Sequence, residues 1–195
     1  GVFIIPYYTC IFISDIVFGK ECPNPHIKDG ITGKLKRWQL YLGKYIATLG
    51  LGVVFYIVTF IFLVATTWLF SMSDGTIDLY TIQDFLEKSF VALPLWAAGI
   101  SIGQMFLFIF QDKRNSFSAF YLTVLLIPRL ILLFASEKRD VYICRIISNY
   151  IITPQFQALQ YYFTMDVKKC YVMGLIYIVI SSAIGIIAYN KRERF

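Results

Sequence analysis

The sequence predicts an all-α polytopic membrane protein with about five transmembrane helices, an amphipathic helix on the inner surface and a broken or re-entrant outer element. Three observations carry this. Hydrophobic residues make up 58% of the 195 residues and charged residues only 15%, where a soluble domain carries about 25% charged. Mean hydropathy is +0.66. Uncharged runs of 29 residues (45–73), 23 residues (89–111) and 21 residues (170–190) each reach the ~20 needed to cross hydrocarbon. In lipid the backbone must bond to itself, so these runs are helices despite their many Val and Ile residues.

The first apolar run, Gly1 to Ser14, has 14 residues and falls short of a full crossing. It is assigned to a span at about 1–17, read as a helix whose beginning is missing from the chain rather than one lying partly outside hydrocarbon. Further spans are expected at about 45–71, 89–111, 116–135 and 169–190. The segment 116–135 is apolar except for Arg129 and a few hydroxyl side chains.

Loop charges set the expected orientation. Residues 15–44 carry six basic and three acidic side chains, residues 72–88 one and four, residues 112–114 two and one, and residues 191–195 three and one. Basic loops stay in the cytoplasm. The N-terminus of this chain is therefore expected outside and its C-terminus inside, in the plasma membrane. Residues 136–169 are slightly basic on the outer side, but long loops weigh little in that rule. The net charge of +6 is thereby accounted for without nucleic acid.

Two segments are not plain spans. In 18–44, Ile27, Ile31, Leu35, Trp38 and Leu42 recur at spacings of four, four, three and four, a helical stripe, while Lys28, Lys34, Lys36 and Arg37 occupy other positions. This predicts an amphipathic helix over 27–42 lying along the inner surface. In 136–168, the stretch 146–165 is uncharged yet holds Ser148, Asn149, Thr153, Gln155, Gln157 and Gln160, with Pro154 expected to break its middle. So many amides are costly against lipid. The segment is expected to be irregular, on the outer side and buried against other helices.

Chemistry-bearing motifs are sparse. His26 is the single histidine, which rules out a multi-histidine metal site within the chain, and HExxH, GxSxG and GxxxxGK[ST] are absent. No cofactor is expected. Cys10, Cys22, Cys144 and Cys170 show no CxxC spacing. Gly99 and Gly103 form a GxxxG that permits close helix packing, within the chain or across a dimer. Arg129, inside a span, either lines a polar path or snorkels toward the outer interface.

The run FGKECPNPHIKDGITGKLKRWQLYLGKYIATLG, Phe18 to Gly50, and the closing AYNKRERF resemble ABC-2 type permeases, the membrane subunits of ATP-driven exporters. Glu21 and the run from Ile27 to Thr32 fit the family's cytoplasmic segment loosely. Arg37, Gln39, Leu42, Gly43 and Lys44 fit its R-x-Q-x-x-L-G-K. Such permeases have six spans, so the first is expected to be missing here. The resemblance implies that 18–44 couples to a cytoplasmic ABC ATPase through Glu21, Ile27, Ile31, Lys34, Leu35, Arg37, Trp38 and Gln39. It also implies a second permease chain, identical or related, with ATP and Mg held by the ATPase partner and membrane lipids around the spans. The rival expectations are a non-transporting assembly or sensing module with the same topology, and, behind it, a membrane-embedded enzyme.

Overall fold

The computed structural model describes residues 3–18, 37–71, 79–110, 112–135, 142–161 and 167–191. The helices are α1 (Ile4–Phe18), α2 (Arg37–Ser71), α3 (Leu79–Phe110), α4 (Lys113–Tyr121), a π turn (Leu122–Leu126), α5 (Ile127–Ala135), α6 (Tyr142–Ser148), α7 (Ile152–Tyr161) and α8 (Val167–Lys191). Among the described residues there is no strand. Four helical stretches are long and apolar enough to cross a membrane: Tyr41–Thr66, Gln83–Phe110, Lys113–Ala135 and Val167–Ala188. The chain is thus a multi-pass all-α membrane protein.

Burial identifies the central helix. Of the apolar stretch of α3, 67% is buried, against 12% for α2, 17% for α4 with α5, and 28% for α8. The rest of the bundle packs around α3. Its Ala92, Leu95, Trp96, Ala98, Ile100, Ser101 and Gln104 are buried, and glycines let the neighbours close in. A Cβ on Gly99 would lie 2.6 Å from the Tyr7 ring, and one on Gly103 would lie 3.2 Å from Cα of Ile11, so the GxxxG face receives α1 within the same chain. On another side, a Cβ on Gly174 of α8 would lie 2.7 Å from the carbonyl oxygen of Pro94. Removing Cβ atoms brings backbones together and multiplies dispersion contacts, which hold helices together where lipid removes the hydrophobic drive.

Cross-helix contacts give each direction. Phe3 stacks on Phe85 at 5.1 Å, while Asp15 near the other end of α1 pairs with Lys113 at 3.0 Å, just beyond α3. So α1 runs parallel to α3. Tyr56 Oη donates to the Ser89 carbonyl and Gln104 Nε2 donates to the Tyr41 carbonyl, so α2 runs the opposite way. Gly174 lies on Pro94 and Gly185 on Tyr41, so α8 is again parallel to α3. The C-terminal ends of α1, α3 and α8 therefore share one end of the bundle with the N-terminal ends of α2 and α4. This is the side-to-side alternation that the loop charges predict.

Several expected boundaries shift. Residues 37–44, assigned by sequence to the segment before the span, are the first turns of α2, because no proline or helix-stopping pair separates the stripe from the apolar run. Residues 79–88, assigned to an outer loop, are helical. Their charges pair one turn apart, Lys88 Nζ with Asp84 Oδ2 at 2.7 Å, and Gln83 bonds to Glu87, so charge does not end the helix. Among the described residues four stretches, where five spans were expected, reach spanning length. The described α1 is 15 residues, or about 22 Å at 1.5 Å per residue, against ~30 Å of hydrocarbon.

The Gly174 contact is with backbone, which cannot swing aside. Gly174→Ala is expected to destabilise the protein by about 1–3 kcal/mol. Gly50, with nothing within 4 Å of its would-be Cβ, is expected to tolerate Ala or gain about 0.5–1 kcal/mol. Thermal unfolding of both variants in detergent tests the pair; equal midpoints would contradict the close α3–α8 approach.

Candidate functional site

Two prolines inside helices determine where polar groups gather. Proline lacks an N–H and leaves the carbonyl four residues earlier without its helical partner. Pro94 frees the Phe90 carbonyl, which Tyr171 Oη approaches at 3.5 Å from α8. Pro128 frees the Val124 carbonyl, which accepts from Thr153 Oγ1 at 3.1 Å. Just before Pro128 the ladder widens into the π turn, where the Ile127 N–H reaches back five residues to the Leu122 carbonyl.

The Thr153 bond docks the irregular segment. α6 and α7 are separated by Asn149–Ile151, and the Tyr150 N–H bonds the Ile147 carbonyl at 2.9 Å. The break thus falls ahead of Pro154, which occupies the first turn of α7, where its missing N–H has no intrahelical partner to lose. Sequence had placed the break at Pro154 itself. Ile152, Thr153, Gln155, Phe156 and Leu159 are buried, and Phe156 packs on Tyr7 with ring centroids 5.1 Å apart. Gln155 Nε2 is satisfied by the Asn149 carbonyl at 3.0 Å. Tyr177 Oη donates to the Tyr150 carbonyl at 2.9 Å. Tyr177 lies ten residues into α8, so the turn sits about 15 Å along that helix.

A second polar group joins α2, α3 and α8. Ser101 Oγ lies 2.6 Å from Ser181 Oγ and 3.2 Å from Ser182 Oγ. Gln104 Nε2 donates to the Tyr41 carbonyl at 3.0 Å. Tyr41 fits over Gly185, whose Cβ would lie 2.6 Å from its hydroxyl oxygen. Both Tyr41 Oη and Gln104 Oε1 are buried without a hydrogen-bond partner among the described residues. The Lys44 ammonium, three residues on, stands 5.9 Å from the Phe108 ring centroid.

The predicted site residues divide as follows. Glu21, Ile27, Ile31, Lys34 and Leu35 lie outside the described residues. Arg37 opens α2, and Trp38 and Gln39 are exposed in its first turn. Gly99 and Gly103 are buried against α1 and form a packing face. Arg129 is exposed on α5. No group of three or more His, Cys, Asp or Glu side chains converges among the described residues. A cleft lined by Phe3, Pro6, Tyr56, Thr59, Phe60, Phe85 and Ser89 has room for about one water, too little for a ligand.

Thr153 and Tyr41 were not foreseen as functional positions. For Thr153 a signal existed: Pro128 announces an unpaired carbonyl at Val124, and hydroxyls in an uncharged segment can cover it. For Tyr41 none existed, because its role depends on the Gly185 notch more than a hundred residues away. Comparison of the chain with protein-family models, curated proteins and solved structures finds no match.

Thr153→Val keeps the shape and removes the donor. It is expected to cost about 1–3 kcal/mol, the penalty of an unsatisfied buried carbonyl, with Thr153→Ser retaining most of the stability. Hydrogen exchange of 142–161 is expected to quicken in the Val variant and stay slow in the Ser variant. Slow exchange in both would show that this bond does not hold α7.

Proposed function

We propose that the chain is the permease subunit of an ATP-driven exporter, forming the translocation path and coupled to a separate cytoplasmic ABC ATPase. The observation that carries this reading is the pair α6 and α7. Two short helices precede α8: α6 has no buried residue, α7 is packed on the bundle and held through Thr153, and the turn between them accepts from Tyr177, which supports reading the pair as a re-entrant element. Irregular backbone at membrane depth is tolerated where it is buried in protein or borders a water-filled space. An element of that kind next to the last span is useful to a protein that opens and closes a path.

The second support is the front of α2. The R-x-Q-x-x-L-G-K run, Arg37 to Lys44, is the start of the spanning helix, so a force applied near Trp38 and Gln39 reaches Tyr41 directly. The residues Glu21, Ile27, Ile31, Lys34 and Leu35 supply the docking surface ahead of it, with Lys34, Lys36 and Arg37 choosing an acidic groove on the ATPase. ATP and Mg belong to that partner, and this chain performs no hydrolysis. A second permease chain completes the path, and the N-terminus of this chain faces outward. The non-transporting assembly or sensing module is the alternative; no single observation favours it.

Reversing the charges at Lys34, Lys36 and Arg37 together is expected to cut co-purification of the ATPase by at least tenfold while membrane insertion is unchanged. Undiminished association in the inserted variant would remove the coupling assignment, and with it the exporter reading.

A further inference from the structure

The helix α6 has three different sides, and its depth decides what each of them meets. At 3.6 residues per turn, Cys144 and Ser148 share one side, Arg145 and Asn149 a second, and Ile143, Ile146 and Ile147 a third. Cys144 and Ser148 are half-buried and mark the packed side, while the other five residues are exposed. α6 lies alongside α5.

Two bonds give the depth of the turn that follows α6. Thr153 Oγ1 donates to the Val124 carbonyl, and Val124 is the middle residue of the apolar stretch Lys113–Ala135. Tyr177 Oη donates to the Tyr150 carbonyl, and Tyr177 lies at the middle of Val167–Ala188. Two independent rulers thus put residues 149–151 halfway along helices long enough to cross the membrane. Beside α5, α6 leads down to that level. Asn149 stands at its lower end, with Arg145 about 6 Å and Ile143 about 9 Å nearer the end of the bundle where α5 stops.

The isoleucine side suits hydrocarbon, and the Arg145–Asn149 side does not. The Asn149 backbone is satisfied, its N–H by the Ile146 carbonyl and its carbonyl by Gln155. Its carboxamide has no hydrogen-bond partner among the described residues. An exposed carboxamide halfway through the membrane is costly against lipid, and a guanidinium one turn above it is more so. Water satisfies both.

We propose that α6 is the wall between hydrocarbon and a water-filled cleft. Lipid tails cover Ile143, Ile146 and Ile147, and water reaches the middle of the membrane along Arg145 and Asn149. The cleft opens at the end of the bundle where α5 stops and α8 starts. It rests on reading α6 and α7 as re-entrant and involves neither an ATPase nor transport; the exporter reading makes it one end of the path.

The test is spin-label accessibility in the full chain in phosphatidylcholine nanodiscs. Cys22→Ser and Cys144→Ser leave the buried Cys10 and Cys170 as a background to subtract. Ile143→Cys, Arg145→Cys, Ile146→Cys, Ile147→Cys and Asn149→Cys then carry the label in turn. The collision partners are a water-soluble nickel complex and oxygen, which concentrates in hydrocarbon. Without a cleft, the nickel-to-oxygen ratio falls steadily with depth from Ile143 to Asn149. With it, Arg145 and the deepest position, Asn149, are expected to exceed the three isoleucine positions about tenfold, because only their side is wet. A steady fall with depth overturns the proposal. Low collision with both agents at Asn149 also overturns it, since a protein chain would then cover that side. If Asn149→Cys does not fold, Arg145→Cys against Ile146→Cys, one residue deeper, decides: equal ratios there remove the cleft. ATPase co-purification enters no arm, so failure here and failure of the exporter reading are told apart.

Discussion

A carbonyl freed inside hydrocarbon has no water to turn to, and this constraint organises the bundle. Two prolines within helices each release one such group. Each is answered from a different part of the chain, Phe90 by Tyr171 and Val124 by Thr153. The first answer fastens α8 to the central helix at the level where Gly174 already touches Pro94. The second fastens α7 to the π turn ahead of α5. Without these donors the prolines would be defects with a cost of several kcal/mol each. With them, they are attachment points, and the irregular segment before α8 has a fixed seat.

Around α3 the same economy of space recurs. Gly99, Gly174 and Gly185 each sit where a methyl would collide with a neighbour, and Gly103 where it would be crowded. Side-chain hydroxyls fill the remaining polar valences: Ser14 Oγ donates to the Cys10 carbonyl at 3.0 Å, and Ser181 Oγ to that of Tyr177 at 2.6 Å. Trp96 is buried between α1 and α2, and its indole N–H donates to the Pro6 carbonyl at 3.0 Å. Its burial follows from the carbonyl waiting at Pro6 and the Gly52 gap opposite.

Lengths and directions of the spans were legible because lack of charge over twenty residues has one physical reading in a bilayer. Helix ends were less so. Residues 79–88 carry charges that look like a loop until their one-turn pairing is known, and α2 takes in residues read as a separate surface element. Arg129 stood out at once as a lone charge, but its face did not. That face depends on one extra residue in a turn, which local sequence does not announce. Most of the proposed ATPase-facing residues fall outside the described helices; only Arg37, Trp38 and Gln39 have a structural setting.

The two polar regions differ in what they can transmit. Among the side chains of α2 that are described, the buried positions are Tyr41, Tyr45, Thr48 and Gly52, a stripe in its first half, while Val53 to Val58 are exposed apart from the half-buried Tyr56. The helix is thus held most closely near its basic end, with a narrower contact farther on where Tyr56 bonds Ser89 and Phe60 stacks on Phe85. A displacement at Trp38 meets Tyr41 one turn later, lodged over Gly185 with an unsatisfied hydroxyl. Close-packed interfaces of this kind switch between arrangements rather than deform smoothly. Tyr41, which accepts from Gln104 and fits over Gly185, is therefore the point at which motion at the start of α2 would pass to α3 and α8.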